Sequence, residues 1–256
     1  MSFAVTCQGQ GPDLVLVHGW GLGPRAWDPV LPLLAADFSV QAVTLPGYAG
    51  SPTAPGASIA ELAAELGRQL PPGALLCGWS LGAMLALQCA ARHPDRLKGL
   101  ILVGANARFV ADPTWPEALP MARLAEFVNA LDADTDTLLK QFALLIHHGA
   151  ARARQAIRAL TGCLRDGRPA DPATLGEGLA LLGTADLREL VAKITTPTLL
   201  IHGAADPLMP LAGARRLADL LPQGHLDVFA DAAHAPFASA PERFVELVRD
   251  FAGGLQ

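Results

Sequence analysis

Ser80, Asp206 and His234 are residue types that together can supply a nucleophile, a carboxylate that orients a base, and the base itself. Ser80 lies in Gly78-Trp79-Ser80-Leu81-Gly82, after the apolar run Ala74-Leu75-Leu76-Cys77 and before the helix-like Ala83-Met84-Leu85-Ala86-Leu87-Gln88. A strand turning sharply into a helix holds a serine strained and exposed, and glycines on both sides avoid a clash across the turn. A serine hydroxyl is a weak nucleophile near neutral pH, so an imidazole must take its proton as the oxygen attacks. His234 is the expected base, and Asp206 is expected to hold its tautomer and stabilise the imidazolium. Attack on an acyl carbon creates an oxyanion. The backbone N–H of Leu81, at a helix start, is one expected donor, and that of Trp20 in His18-Gly19-Trp20-Gly21 is the second. His18 reads as a brace for that loop.

These residues need elements to hold them. Strand-like runs at 14–17, 38–43, 74–77, 99–103, 197–201 and 225–229 alternate with helix-period segments near 58–70, 80–92 and 211–221. Alternation of this kind gives a parallel sheet, and strands apolar on both faces imply helices on both sides, so the fold class is α/β, doubly wound and mostly parallel. Chemistry in such folds gathers at the carboxyl ends of strands. Asp206 follows the run ending at His202 through Gly203-Ala204-Ala205, and His234 follows Leu226-Asp227-Val228-Phe229 through a short loop. His225 starts its strand, His93 precedes Pro94, and His202 sits beside the aspartate loop, so each reads as structural. His147 and His148 are adjacent and cannot face one metal ion from a helix. Asp227 and Asp231 are the rival carboxylates. Residues 110–185 carry no strand-like run but helical stretches at 119–131, 137–146 and 151–164. The expected division is therefore a core of 1–110 and 186–256 with a helical cap inserted at 111–185.

The composition, 256 residues with 51% hydrophobic, 17% charged and a net charge of −5, is that of a globular enzyme. No long basic run supports nucleic-acid binding. Leu14-Val15-Leu16-Val17 is too short to span a bilayer, and no signal-peptide pattern precedes it. Cys7, Cys77, Cys89 and Cys163 form no C-x-x-C pair and read as free thiols in a reducing compartment. The expectation is a cytoplasmic monomer without metal or cofactor and without a membrane partner.

The chain resembles the α/β-hydrolase superfamily through His18-Gly19-Trp20-Gly21, Leu45-Pro46-Gly47-Tyr48, Gly78-Trp79-Ser80-Leu81-Gly82, Gly203-Ala204-Ala205-Asp206 and Ala233-His234, in family order. Within it, Asp112-Pro113-Thr114-Trp115-Pro116, Thr184-Ala185-Asp186-Leu187-Arg188 and Ala232-Ala233-His234-Ala235-Pro236-Phe237 look like the pimeloyl-[acyl-carrier protein] methyl ester esterases. The resemblance implies hydrolysis of that carrier-bound methyl ester to the acid and methanol in biotin synthesis, with acyl-carrier protein as partner and small esters as further substrates. It makes Phe142, Ala143, Leu144, Leu145 and Ile146 the substrate-lining stretch, along with Trp20, Ser80, Leu81 and His234. It also makes Arg154 and Arg158 carrier-facing. Those two stand i, i+4 among Arg152, Arg165 and Arg168, and guanidinium groups suit the phosphate of a phosphopantetheine arm. Thr137 and Gln141 stand where the family carries arginines, with Lys140 close by.

The other readings are a general short-chain carboxylesterase, a carbon–carbon bond hydrolase, and a ligand receptor on the same scaffold. Serine rather than aspartate at the elbow argues against dehalogenase and epoxide hydrolase chemistry.

Overall fold

The near-continuous apolar runs become the middle of a seven-stranded sheet. In the computed structural model, which describes residues 3–151, 157 and 170–255, the strands are β1 (Ala4–Gln8), β2 (Asp13–Val17), β3 (Ser39–Thr44), β4 (Ala74–Trp79), β5 (Leu97–Val103), β6 (Thr198–Gly203) and β7 (Gly224–Phe229). Their order is β1-β3-β2-β4-β5-β6-β7. Only the β1–β3 pairing is antiparallel. Every residue of β4 and β6 is buried, as expected for strands covered on both faces.

The six expected strands form within a few residues of their expected ends. β1 was not among them, because all five of its residues are exposed and an edge strand bears no core-facing signature. The helices covering the sheet include α1 (Ile59–Gln69), α2 (Leu81–Arg92), α6 (Leu211–Leu220) and α7 (Pro241–Gly254). α1 starts where expected for a local reason. The Ser58 hydroxyl accepts the Glu61 N–H, and the Glu61 carboxylate accepts the Ser58 N–H at 2.9 Å. α7 was not expected from the sequence. It packs Phe244, Val245 and Val248 inward.

Between β5 and β6 the chain leaves the sheet and forms α3 (Met121–Ala133), α4 (Thr135–Leu145) and α5 (Pro172–Thr184). α3 and α4 match the stretches expected at 119–131 and 137–146. α5 was not expected. The helix expected at 151–164 lies outside the described residues, apart from its first residue, a turn, and Ile157.

Where this segment departs and returns, two distant motifs tie together. Arg108 pairs with Asp186 at 2.8 Å and Asp112 at 3.1 Å, and Arg188 pairs with the same two carboxylates at 2.5 and 3.2 Å. Arg188 also donates to Thr114 Oγ1 at 2.6 Å. The resemblance of Asp112–Pro116 and Thr184–Arg188 to one family thus has a physical basis, because the two stretches are one ion-pair knot. Beside it, Trp115 Nε1 donates to Asn106 Oδ1 at 2.8 Å and the Arg216 guanidinium lies 4.1 Å over the indole.

The Arg188 hydrogen bonds hold the Asp186 carboxyl at about 2 against the opposing effect of partial burial. A carboxyl depressed on folding contributes stability above its unfolded value of about 4 and loses it as the pH falls toward the folded value. Side-chain exposure of 35% means that solvent screens much of this. Asp186→Asn should therefore cost only about 1 kcal/mol in urea unfolding at pH 7. The gap from the parent protein should close as the pH is lowered from about 4 to about 2.

Candidate active site

Ser80 sits between β4 and α2 at φ 57° and ψ −117°. A non-glycine residue at positive φ costs about 1–3 kcal/mol and persists only where its surroundings enforce it. Here they do. The Ser80 N–H donates to Val103 O at 3.0 Å, and the Ser80 carbonyl accepts from Ala83 N–H at 2.9 Å. A Cβ on Gly78 would lie 2.3 Å from Gly82 O, and one on Gly82 would lie 2.3 Å from Val17 O. The two glycines thus let α2 start directly against β4 and β2.

The loops after β6 and β7 bring Asp206 and His234 together. His234 Nδ1 and Asp206 Oδ2 are 2.7 Å apart, with both side chains fully buried. Asp206 Oδ1 accepts the N–H groups of Leu208 and Met209, each at 2.9 Å. Burial pushes this carboxyl up, but the two imidazoles nearby and the hydrogen bonds outweigh burial and hold it below its ordinary value. Asp206 is therefore a carboxylate and His234 Nδ1 the donor, which leaves the lone pair on Nε2. That nitrogen is buried and, among the described residues, has no hydrogen-bond partner. His234 is fixed through its main chain as well: its N–H donates to Ile146 O at 3.0 Å, and its carbonyl accepts from Trp79 Nε1 at 2.9 Å. Asp227 pairs with Arg243 and Asp231 is exposed, so neither rival carboxylate takes the place of Asp206.

On the other side of Ser80, the loop after β2 carries Trp20. His18 Nε2 accepts Leu45 N–H at 3.1 Å and its Nδ1 donates to Gly19 O at 2.8 Å, while burial drives the imidazole down to about 4. A neutral His18 thus pins this loop to the end of β3, the expected brace. Gly21 adopts φ 85° and donates its N–H to the Tyr48 hydroxyl at 3.1 Å. Trp20 Nε1 donates to Leu175 O at 2.8 Å, and its ring slots against Gly178, where a Cβ would lie 2.6 Å from the indole. Among the described residues, neither Trp20 N–H nor Leu81 N–H donates to another backbone carbonyl. Both remain available to a ligand oxygen.

Ser80 opens on a narrow apolar pocket walled by Trp20, Phe109, Phe127, Phe142, Leu179, Leu182 and Leu208. Phe142 meets Trp20 edge-on with ring centroids 4.9 Å apart. Phe127 and Phe142 also wall a separate groove between α3 and α4 with Arg123, Gln141 and Leu145.

The expected lining stretch needs correction. Phe142 faces the pocket, Leu145 the separate groove, and Ala143 is buried elsewhere. Leu144 is 53% exposed and lines neither, because consecutive helical residues point in different directions and five in a row cannot share one cavity. Ile146 reaches the site through its carbonyl, the acceptor for His234. Phe109, Phe127, Leu179, Leu182 and Leu208 were not anticipated. Their spacing is that of ordinary core leucines and phenylalanines, and only the folded chain distinguishes them. Arg154 and Arg158 lie outside the described residues, while Thr137, Lys140 and Gln141 are exposed on α4.

Comparison with known proteins gives a consistent result. Residues 14–247 match the model of the alpha/beta hydrolase family. The chain is 41% identical to the pimeloyl-[acyl-carrier protein] methyl ester esterase of Aromatoleum aromaticum, covering 95% of this chain and 99% of that one. It is 40% identical to the protein of that name from Chromobacterium violaceum, over 98% of both. Among solved structures, an esterase from Exiguobacterium antarcticum superposes with a TM-score of 0.88 at 23% identity, over 98% of this chain and 96% of that one. A bromoperoxidase from Bacillus anthracis gives 0.87 at 21%, over 98% and 95%. Likenesses that remote report the fold, whereas identity near 40% along the whole length reports kinship. The chain belongs to the alpha/beta hydrolase family, alongside the pimeloyl-[acyl-carrier protein] methyl ester esterases.

Proposed function

We propose that the protein is a serine carboxylesterase that hydrolyses the methyl ester of pimeloyl-[acyl-carrier protein], releasing methanol and the free acid for biotin synthesis. The observation that carries this reading is 41% identity over 95% of the chain to an esterase of that name, with Ser80, Asp206 and His234 at the site just described. Ser80 Oγ attacks the ester carbonyl while His234 Nε2 takes its proton, and Asp206 stabilises the imidazolium. The N–H groups of Trp20 and Leu81 receive the oxyanion. Collapse returns the proton to the leaving methoxide and leaves an acyl-serine, which water then hydrolyses by the same steps. No cofactor enters this mechanism.

The pocket supports a methylene chain as the acyl group. Its walls are apolar, with the rings of Trp20, Phe109, Phe127 and Phe142 among them and Ser80 at its edge. On this reading residues 111–185 are the cap, and the carrier stays outside it with its arm threaded inward. Arg154 and Arg158 are the carrier-facing pair on sequence grounds. The reading goes with a cytoplasmic enzyme. Among the described residues, no helix is long and apolar enough to cross a membrane. A general carboxylesterase is the second reading, since an apolar pocket ending at Ser80 also admits short acyl esters.

Ser80→Ala should reduce ester hydrolysis by at least roughly 10³-fold with unchanged unfolding, and Asp206→Asn by roughly 10³–10⁴-fold. Near-normal turnover by the alanine variant would remove Ser80 from the mechanism. Comparing kcat/KM for pimeloyl methyl ester on acyl-carrier protein with that for a short aryl ester tests the substrate. A strong preference for the carrier form is expected, and activity on the aryl ester alone would favour the general esterase. Arg154→Glu with Arg158→Glu should raise KM for the carrier ester and leave the small ester untouched; equal losses on both would assign the arginines to folding.

A further inference from the structure

Gly178 lies inside α5, where the backbone has no need of a glycine: its φ is negative, as in any helix, and a glycine there costs about 1 kcal/mol relative to alanine. The reason for it is steric. A Cβ at this position would lie 2.6 Å from Cδ1 and 3.1 Å from Nε1 of the Trp20 indole. At Gly176, on the same helix, a Cβ would meet Leu131 Cδ2 at 3.8 Å, an ordinary van der Waals contact.

The indole that uses this gap is held by the helices between β5 and β6. Its Nε1 donates to Leu175 O of α5 at 2.8 Å, and the ring meets Phe142 of α4 and Phe127 of α3 edge-on, with centroids 4.9 and 6.3 Å away. The main chain of the same residue belongs to the core. Gly21 N–H donates to the Tyr48 hydroxyl at 3.1 Å, and a Cβ on Gly19 would lie 3.1 Å from Ser80 Cβ, so the loop runs directly against the nucleophile. Trp20 is buried, with its ring on one body and its backbone on the other. A displacement of the ring therefore has to pass into the loop beside Ser80, because the phenylalanines leave it no free space to turn into.

We propose that Leu175 and Gly178 are positioning residues for the oxyanion hole: by seating the Trp20 indole on α5, they aim the Trp20 N–H at the carbonyl oxygen of the ester that Ser80 attacks. This deepens the serine-esterase reading and rests on it. Charge develops on that oxygen only as the bond from Ser80 Oγ to the acyl carbon forms. A misaimed donor therefore weakens the transition state and leaves the fit of the resting ester unchanged. Acylation and deacylation both pass through such an oxyanion, so both slow together. The helical segment thus takes part in the chemistry, since the hole is aligned only while α5 is seated on the core.

The test compares Gly178→Ala, Trp20→Phe and Gly176→Ala on p-nitrophenyl acetate, each first judged folded by its Tm. Trp20→Phe keeps an aromatic ring and loses the bond to Leu175. Gly178→Ala and Trp20→Phe should each lower kcat about tenfold with KM little changed, a part of the roughly 10²–10³-fold that loss of a whole oxyanion donor costs. Gly176→Ala should match the parent protein. The readout specific to the hole is inhibition by hexyl trifluoromethyl ketone, to which Ser80 Oγ adds while its proton passes to His234 Nε2 and the ketone oxygen becomes the oxyanion. Its inhibition constant should rise about tenfold in the first two variants, while that of hexyl methyl ketone, which binds without adding, should stay as it is. Parent kinetics in either of those variants, equal weakening of both ketones, or an equal loss in Gly176→Ala overturns the seat on α5. Should Gly178→Ala fail to fold, Trp20→Phe decides by the same criteria. In the unsubstituted protein, a trifluoromethyl ketone that binds no tighter than the methyl ketone, with no acyl group found on Ser80 by mass spectrometry, overturns the serine-esterase reading itself, a distinguishable result.

Discussion

The backbone of Ser80, held at positive φ between a fully buried strand and a buried helix, is the constraint on which the rest of the site depends. Such a conformation is not stable by itself, and the neighbouring elements supply what holds it. β5 takes the Ser80 N–H through Val103 O, α2 takes its carbonyl, and the absence of side chains at Gly78 and Gly82 lets β2 and α2 close on the turn. The strand order reverses between β2 and β4, so the loops after those two strands diverge and open a crevice at their carboxyl ends. Trp20 and Leu81 stand on opposite lips of that crevice.

Asp206 and His234 reach it from the far side of the sheet. Each is on a loop after a later parallel strand. The His234 loop is held by Trp79 from the elbow and by Ile146 from α4, and the Asp206 loop by hydrogen bonds to its own following residues. The buried pair is tolerable because the carboxylate meets an imidazole and two backbone N–H groups, and an unpaired charge at that depth would not be. A single turn after α4 therefore serves both parts of the molecule: it ends one wall of the apolar pocket and steadies His234.

The helical segment between β5 and β6 is fixed at its root by Arg108, Asp112, Asp186 and Arg188 and at its inner face by Trp20 against Gly178. The root is partly exposed and screened, so its value is geometric more than energetic. It closes the chain where the segment leaves and rejoins the sheet. The aromatic contacts of Trp20, Phe127 and Phe142 then shape the pocket.

The sequence by itself determined the parallel core, because β4, β5 and β6 are apolar on both faces and a run of that kind has no other stable place. It also determined the elbow, since a glycine pair around a serine between strand and helix is a local steric requirement that reads directly from the residues. Asp206 and His234 were legible from chain order and from their places after strands. β1 was not, because an exposed edge strand is specified by its partner β3 and not by its own pattern. Tertiary structure alone decided which of five consecutive residues from Phe142 to Ile146 faces the pocket and which distant leucines and phenylalanines complete it. Those assignments depend on the angle at which α3, α4 and α5 cross the sheet, and that angle is set by long-range packing that no local window of sequence contains.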